Sequence, residues 1–454
     1  MDSMNEQYGK HIFEAGDSLV SEENENYSVV SFLGRGGQGE VYKVVGPKGA
    51  FALKWYYKDD FLRKVDVDLF YLNLKRNIED GIPSLSSGDL ATQFIWPQIL
   101  MKPYRGSFGY LMKLFPDGYE PLSHVILGRK RSGQDGSLVP VRWLSWFTRI
   151  TAALNIVRAF EILHASGKSY QDVNEGGFCV NIRTGDVFIG DCDNVSPDRM
   201  NIGIRGMRTF MAPEIVRGEA LPNRYTDEYS LAVILFRMFF YGHPLIGKES
   251  HVIRSDISLT AEEADTIIFG KAPHYCLASK NNVNPVDPQK DPDVFRMSLT
   301  YPTVLMDAFE KVFTSGIMDP QARLTATEWR NVLLAVRDRL IISNNQELFV
   351  QTRVKMQLPE DCTVLQYRDG RIIYCAPGKI LYGYHIDYYN KDYRTPVGKI
   401  ISTNQKNVLG LYNANCGDIH YAFEHKQGIC HEKGRMPLLR GMYIKLPKEE
   451  LIVC

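Results

Sequence analysis

Short blocks of unusual residues follow one another in a fixed order along this 454-residue chain, and they limit the folds that it can adopt. The blocks are Gly34-Arg35-Gly36-Gly37-Gln38-Gly39-Glu40-Val41, Phe51-Ala52-Leu53-Lys54, Tyr170-Gln171-Asp172, Asp191-Cys192-Asp193 and Ala212-Pro213-Glu214, with Asp227 and Arg323 closing the series. Each block alone is common by chance. The ordered set predicts one site, assembled from parts of the chain that lie far apart in sequence.

Composition narrows the class of protein. The 44% hydrophobic content is enough for a large core divided into two or three domains. A formal net charge of zero gives no indication of a nucleic-acid or membrane partner. The eight cysteines form no C-x-x-C pair, which favours free thiols in a reducing compartment. The polar, acidic N-terminus is unlike a signal peptide, and the apolar run 231–241 is too short to span a bilayer, so we expect a cytoplasmic protein.

The texture of the sequence changes three times. Residues 1–26 form a polar lead-in, and 27–115 alternate like strands around the glycine block, with one helix over 61–78. Residues 116–345 carry helical patterns, among them 144–163 and 227–241, and a capping box at Thr325–Glu328. From 350 to 454 short strands return, and Asp369-Gly370 is a strong hairpin signal. We therefore predict an α+β chain with boundaries at 1–26, 27–115, 116–345 and 350–454.

The glycine block suits contact with phosphates. Glycines lack a Cβ, so backbone N–H groups at Gly34, Gly36, Gly37 and Gly39 can approach an anion closely. A dinucleotide-binding turn would need a helix directly after the glycines, whereas Val41 opens a further strand. The block therefore predicts a glycine hairpin over a nucleotide.

Three charged side chains complete the predicted site. Lys54 lies on the strand after the hairpin, where it can neutralise two phosphates. Asp172 follows the long helix in a loop, where a carboxylate can orient a hydroxyl and accept its proton. Asp191 follows a short strand and can hold a divalent cation against the phosphates.

Residues 27–340 resemble the eukaryotic-type protein kinase domain. Lys54, Asp172 and Asp191 match its strand lysine, catalytic-loop aspartate and magnesium aspartate. Glu214 and Arg323 match its buried ion pair, and Asp227 matches the aspartate that supports the catalytic loop. The resemblance implies a bilobal kinase fold, with ATP and Mg²⁺ (or Mn²⁺) as cofactors. It also implies a nucleotide site formed by Gly34, Gly36, Gly37, Gly39, Val41, Ala52, Lys54, Met112, Lys113 and Leu114.

Several positions depart from the kinase pattern. Asn73 stands where the helix usually carries a glutamate, so either its amide binds Lys54 or an acid such as Asp68 or Glu79 takes that role. Gly177 replaces the usual metal-binding asparagine. Asn174 either takes over part of the metal or phosphate contact, as a catalytic and metal-binding residue, or caps the loop.

Two more departures concern acids and control. Asp193 replaces the glycine of the Asp-Phe-Gly motif, and it is either a second metal ligand or a solvated turn residue. Gln171 replaces the arginine that reads phosphorylation of the activation loop, so control by that route is not expected.

A narrower resemblance is carried by the same blocks together with Phe94–Pro97, Phe108–Met112 and Phe210–Val216. These segments are similar to bacterial kinase-like proteins of the tellurite-resistance-associated type. The resemblance implies bacterial signalling, with a protein substrate, a von Willebrand-A protein and a metal-dependent protein phosphatase as partners.

The C-terminal strands are similar in spacing to a forkhead-associated domain. Lys399 and Cys416-Gly417 stand near the places of that family's phosphate-binding arginine and serine. We therefore expect an all-β, sandwich-like domain that docks on the rest of the chain or on a partner.

The sequence as a whole predicts a slow protein kinase of the serine/threonine type, which transfers phosphate to protein hydroxyls or to the chain itself. The alternative is a nucleotide-binding pseudokinase that acts as a scaffold or switch. It is favoured by Asn73, by Gly177 and by Met207, which stands where serine/threonine kinases usually carry a threonine. A third possibility is that the C-terminal domain dominates as a binding module.

Overall fold

The computed structural model describes residues 11–85, 88, 90–132, 136–204, 206–280, 282–343, 345–354 and 358–454. Residues 1–10 of the predicted lead-in lie outside the described residues. Within the described part the chain is α+β, with a curled N-terminal sheet, a helical middle and a β-rich C-terminal region.

The N-terminal sheet has six antiparallel strands in the order β1-β2-β3-β4-β6-β5. The strands are β1 Ser18–Val20, β2 Asn26–Arg35, β3 Gly39–Gly46, β4 Gly49–Tyr56, β5 Pro97–Leu100 and β6 Gly109–Met112. The predicted strands are confirmed, and β1 adds part of the supposed lead-in to the sheet. Alternate residues of β4 face opposite cores: Leu53 and Trp55 face one, Ala52 and Tyr56 the other.

One helix, α1 (Val67–Asp80), packs against this sheet. The predicted start at residue 61 is wrong, because Asp66 caps the helix by accepting the Leu69 N–H (3.1 Å) and only a single 3₁₀ turn precedes it. The helix ends at Gly81, whose φ of 71° is readily available to glycine.

The middle of the chain is mainly helical and surrounds the largest apolar core. Its helices are α2 Leu122–Leu127, α3 Trp146–Ala165, α4 Pro213–Val216, α5 Arg224–Phe240, α6 Lys248–Ser255, α7 Ala261–Thr266, α8 Pro292–Thr300, α9 Thr303–Phe313, α10 Ser315–Met318 and α11 Ala326–Asp338. Within the described residues, this part of the chain also contains seven short strands: β7 Glu120–Pro121, β8 Arg129–Arg131, β9 Leu138–Pro140, β10 Lys168–Ser169, β11 Phe178–Val180, β12 Val187–Ile189 and β13 Ser196–Pro197. The two long predicted helices are confirmed as α3 and α5, and the capping box at Thr325 starts α11.

The C-terminal region consists of a hairpin and two antiparallel sheets. The hairpin joins β14 Leu340–Ser343 to β15 Gln346–Phe349 across the predicted boundary. The remaining elements are β16 Thr363–Tyr367, β17 Ile372–Cys375, β18 Ile380–Tyr382, α12 Gly383–Ile386, β19 Pro396–Ser402, β20 Leu409–Asn413, β21 Ile419–Phe423, β22 Lys426–Cys430, β23 Arg435–Leu438, β24 Tyr443–Lys445 and β25 Glu450–Val453. A six-stranded and a four-stranded sheet enclose one apolar core, and the Asp369-Gly370 hairpin is confirmed.

This β-region is attached to the helical part through buried charges, which we call the junction cluster: Arg337, Asp338, Lys379 and His385. The Arg337 guanidinium lies between the rings of Phe147 (4.2 Å) and Tyr382 (3.9 Å). The Lys379 ammonium donates to the carbonyls of Arg337 (2.7 Å) and Leu340 (2.8 Å), just beyond the C-terminus of α11.

Candidate functional site

The glycine block forms the tip of the β2–β3 hairpin. The Gly36 N–H donates to the Gly39 carbonyl (2.9 Å), which closes the turn. A Cβ added at Gly34, Gly36 or Gly37 would meet no heavy atom within 4 Å, so this face of the hairpin is open. A Cβ at Gly39 would lie 2.0 Å from the Trp55 carbonyl oxygen, so Gly39 is required by strand packing.

Lys54 of β4 lies beneath the hairpin, buried, and its ammonium is shared among three oxygen ligands. Lys54 Nζ is 2.7 Å from Gln38 Oε1, 3.0 Å from Asp191 Oδ1 and 2.9 Å from Asp193 Oδ2. Burial opposes the charged form of Lys54, but the charges of Asp191 and Asp193 outweigh it and raise its pKa. The lysine is therefore held as a cation.

Asp191 has a backbone conformation that is uncommon for a residue other than glycine. It follows β12 with a φ of 49° and a ψ of 36°, in the left-handed region, and a 3₁₀ turn over Cys192–Asn194 begins directly after it. Its side chain is 40% exposed, whereas that of Asp193 is fully buried. The predicted convergence of Lys54 and Asp191 is confirmed.

Asp172 lies in the loop after β10 and is partly buried. Asn174 Nδ2 donates to Asp172 Oδ1 (3.1 Å), and its own Oδ1 accepts the Gly176 N–H (2.9 Å). Burial, and then the charge of Asp191, raises the pKa of Asp172 to about 6. We refer to Lys54, Asp172, Asp191 and Asp193 as the cleft cluster.

Buried contacts hold the Asp172 loop. The Asp227 carboxylate accepts the backbone N–H groups of Tyr170 (2.6 Å) and Gln171 (2.9 Å), and His164 Nε2 lies 3.1 Å from it. Gln171 has a φ of 71°, and its amide donates to the Met200 carbonyl (2.6 Å) and to Ser196 Oγ. The loop is thus fixed to the segment after Asp191 by neutral hydrogen bonds.

A buried ion pair supports the segment after the Ala-Pro-Glu block. Both guanidinium NH groups of Arg323 donate to the two oxygens of Glu214, each at 2.8 Å. The predicted pairing of these residues is confirmed.

The predictions for helix α1 are wrong. Asn73 Nδ2 donates to the Val195 carbonyl (2.8 Å), as Asn77 Nδ2 does (2.6 Å), so the Asn73 amide is directed to the backbone rather than to Lys54. Asp68 and Glu79 are exposed, and the described ion pairs of Lys54 are with Asp191 and Asp193 alone.

The interpretation of Asp193 as a solvated turn residue is also wrong, because it is 0% exposed. Its oxygens accept from Lys54, from the Tyr56 hydroxyl (2.5 Å) and from the Tyr110 hydroxyl (3.1 Å). These contacts occupy the oxygens that a second metal ligand would need.

Contacts with neighbouring residues explain Asn174 and Gly177, the two positions of this loop that depart from the kinase pattern. Asn174 is the cap of the 3₁₀ turn Glu175–Gly177, the second of its two predicted roles. A Cβ at Gly177 would lie 2.9 Å from the Tyr170 hydroxyl, which donates to the Gly190 carbonyl. The phenol of Tyr170 therefore fills the space that a longer side chain at 177 would need.

Only some of the residues predicted to hold the nucleotide base lie in one cluster. Ala52 and Met112 are opposite each other on β4 and β6, and they share an apolar cluster with partly buried Val41 and Leu114. The Lys113 side chain is exposed.

Sequence reasoning missed Tyr56, Tyr110 and the side-chain role of Gln38. Tyr56 is two residues beyond Lys54 on β4 and so faces the same side, and Tyr110 is the cross-strand partner of Lys54. Strand alternation could have placed both phenols beside the lysine. Nothing in the pattern indicated that the Gln38 amide would bridge Lys54 and Asn194 Oδ1 (3.1 Å).

Among the described residues, no three His, Cys, Asp or Glu side chains are grouped as metal ligands, and no helix is long and apolar enough to cross a membrane. No protein-family model matches the chain, and no curated protein matches it.

Proposed function

We propose that the chain is a protein kinase with a bilobal fold, which transfers the γ-phosphoryl group of ATP to a protein hydroxyl. One observation carries the proposal: Lys54 and Asp191, 137 residues apart in sequence, meet at 3.0 Å beneath an open glycine hairpin. Phosphoryl transfer requires at least a cation that binds the phosphates and, next to it, an exposed carboxylate that binds a metal ion.

The cleft cluster has the chemistry that Mg·ATP or Mn·ATP requires. Lys54 would bind phosphate oxygens, and Asp191 would bind the metal through its exposed oxygen. One lysine faces three carboxylates, so a divalent cation would offset the surplus of negative charge. When bound, the nucleotide supplies the phosphoryl group and the metal neutralises its charge.

Asp172 is the proposed general base. A carboxyl group with a pKa of about 6 is mostly ionised at neutral pH, yet it is more basic than an ordinary aspartate. The Asn174 amide orients it, and Asp227 fixes its loop through backbone N–H groups. Asp172 would hold the substrate hydroxyl and receive its proton.

Two internal contacts support the kinase architecture over an unrelated nucleotide-binding fold. The Glu214–Arg323 ion pair and the Asp227 support of the loop are the pairings that the sequence resemblance implies. The Gln171 contacts with Met200 and Ser196 fit a segment whose order does not depend on phosphorylation.

The proposed setting follows from the resemblance alone. It is bacterial signalling in the cytoplasm, with a protein substrate of the serine/threonine type and with a von Willebrand-A protein and a metal-dependent phosphatase as partners. A role with nucleic acid or at a membrane is not part of the proposal.

A second function, that of a nucleotide-binding pseudokinase, is favoured by one observation. The Tyr170 phenol fills the space beside Gly177, where the resemblance leads one to expect a metal-binding asparagine. Such a chain would bind ATP as a scaffold or switch without transferring phosphate.

Incubation with γ-labelled ATP, Mn²⁺ or Mg²⁺ and a general protein substrate tests the proposal. We expect incorporation by the wild type and a loss of at least about 100-fold in Asp172→Asn. Asp59→Asn, which changes an exposed acid on the first lobe, is the matched control and should keep full activity.

Two outcomes would reject kinase activity in different ways. Absence of incorporation together with an ATP-dependent rise in melting temperature would favour the pseudokinase. Absence of both incorporation and nucleotide binding would remove the nucleotide-site interpretation altogether.

A further inference from the structure

The buried acid Asp193 has no role in the proposed chemistry, and its surroundings are those of an anchor. Its side chain is fully buried, and Lys54 Nζ lies 2.9 Å from Oδ2 and 3.1 Å from Oδ1. The hydroxyls of Tyr56 and Tyr110 donate to the same carboxylate at 2.5 Å and 3.1 Å. Three donors from two neighbouring strands therefore converge on one acid.

The two tyrosines serve as neutral donors. Burial, and then the charge of Asp193, raises the pKa of each phenol well above its ordinary value. Both phenols therefore keep their protons at neutral pH. Such donors stabilise the ionised carboxylate without competing with Lys54 for its role as the cation.

Helix α1 makes no equivalent contact. Its inward-facing amides, Asn73 and Asn77, both donate to the carbonyl of Val195, two residues beyond Asp193. The helix thus holds the backbone of the segment that carries Asp193, while the charged contact to Lys54 comes from that segment itself.

The two acids beside Lys54 differ in exposure, which separates their tasks. Asp191 is 40% exposed and can reach a ligand, whereas Asp193 is enclosed and has all its contacts within the protein. A buried lysine needs a partner that stays in place when a ligand occupies the cleft. Only the enclosed acid meets that requirement.

We infer that Asp193, held by Tyr56 and Tyr110, is the positioning residue for Lys54, in the place of an acid on helix α1. The consequence of this positioning role concerns nucleotide binding, and it therefore rests on the proposed function. It implies that the lysine is positioned by the same short segment that carries Asp191. The charged partner of Lys54 then does not come from helix α1, whose contribution is the pair of amides that holds the Val195 carbonyl.

The pair itself can be tested without nucleotide. Lys54 of the full chain is labelled with an amine-reactive reagent across a pH series and quantified by mass spectrometry. In Asp193→Asn we expect the labelling rate of Lys54 at pH 8 to rise at least about tenfold, because the ammonium loses the enclosed carboxylate that holds it in the interior. An unchanged profile would overturn the inference.

The positioning role is tested by the affinity for ATP in the absence of added metal. We expect Asp193→Asn to weaken binding at least about tenfold and Tyr56→Phe to weaken it about threefold, since the phenol acts on Lys54 through Asp193. Tyr71→Phe, which removes a hydroxyl bound to Glu22 in the same lobe, is the matched control and should bind like the wild type.

The outcomes separate this inference from the proposed function. If the wild type binds no ATP, the proposed function fails while the labelling profile still decides the Lys54–Asp193 pair. If the wild type binds ATP and both Asp193→Asn and Tyr56→Phe bind equally well, the positioning role is wrong. If Asp193→Asn does not fold, Tyr56→Phe against Tyr71→Phe decides, and equal affinities of the two would reject the role.

Discussion

The cleft cluster and the junction cluster are both groups of charged side chains in the interior, but their charges are balanced differently. In the cleft cluster one lysine pairs with two carboxylates and interacts at longer range with a third, Asp172, and one of its two partners, Asp191, is 40% exposed. In the junction cluster the cations Arg337 and Lys379 donate to backbone carbonyls. The one carboxylate of that cluster, Asp338, pairs with His385 and interacts at longer range with Lys379. A surplus of one sign that faces solvent indicates a missing counter-charge, whereas an enclosed and paired set indicates a structural joint.

The pKa shifts of one acid from each cluster, Asp172 and Asp338, follow the same division. In the cleft, burial raises the pKa of Asp172 to about 6, which disfavours its ionised form. At the junction, burial opposes ionisation of Asp338, but His385 and Lys379 outweigh it and lower its pKa. The charge of Asp172 is therefore destabilised, as charges at functional sites often are, whereas the charge of Asp338 is stabilised by its neighbours, although burial lowers the pKa of Lys379 to about 8.

The largest expected effect lies at the junction. Asp338 accepts hydrogen bonds from Tyr384 OH (2.6 Å) and lies 2.9 Å from His385 Nε2. Asp338→Ala leaves Tyr384 and His385 without their acceptor and removes the negative charge near the Lys379 ammonium, so we expect the free energy of unfolding to fall by about 3–5 kcal/mol. Urea titration followed by tryptophan fluorescence measures the change.

Asp59→Ala provides the comparison for that measurement. Asp59 pairs with Arg63 on the surface, where both side chains are mostly exposed, so its loss should cost less than about 0.5 kcal/mol. A similarly small loss in Asp338→Ala would mean that the junction cluster is not a joint, and the contrast between the two clusters would disappear.

The second effect has the opposite sign and lies in the cleft. The folded-state pKa of Asp172, about 6, is above its ordinary value of 3.8, so the loss of stability builds up as the pH rises from 3.8 and is complete above about 6. Asp172→Asn removes that cost while keeping an oxygen for the Asn174 amide. We expect the variant to be more stable than the wild type by about 1–3 kcal/mol at pH 8, and partial exposure favours the lower part of that range.

The pH dependence checks the cause of this gain. The advantage of Asp172→Asn should shrink as the pH falls from about 6 to 3.8 and vanish well below 3.8, where the wild-type carboxyl is protonated in both folded and unfolded chains. Melting temperatures across this range measure it. A gain that stays constant with pH would show that charge is not its source.

Much of the cleft could be predicted from sequence because each part has a local signature. The glycines around a strand turn, Lys54 on the next strand and Asp191 after a short strand all follow from spacing and alternation. The partner of Glu214 was likewise predicted by the resemblance. These features depend on contacts that many chains of this pattern would share.

The partners of Lys54 could not be predicted in full because they depend on which of several neighbouring acids and amides faces inward. Asn73 and Asp193 both lie near the lysine in any such fold, and only the conformation of the segment after Asp191 decides between them. That conformation includes the φ of 49° at Asp191, which aspartate adopts more readily than most non-glycine residues but which the presence of an aspartate does not predict. The docking of the β-region through Lys379 and His385 could not be predicted from the sequence either, since each residue alone resembles an ordinary surface residue.

The smallest expected effect concerns Gln38, the cleft contact that has no counterpart at the junction. Its amide oxygen accepts from Lys54 (2.7 Å) and its amide nitrogen donates to Asn194, so the hairpin tip occupies one of the hydrogen bonds that a phosphate would need. Gln38→Ala should therefore strengthen ATP binding by about two- to tenfold, the equivalent of one hydrogen bond that no longer has to be broken. Arg35→Ala, at the edge of the same hairpin, is the comparison, and fluorescence titration with a labelled nucleotide measures both. Weaker binding in Gln38→Ala would mean that the amide is itself a phosphate ligand, and the hairpin would then be part of the binding site before the nucleotide arrives.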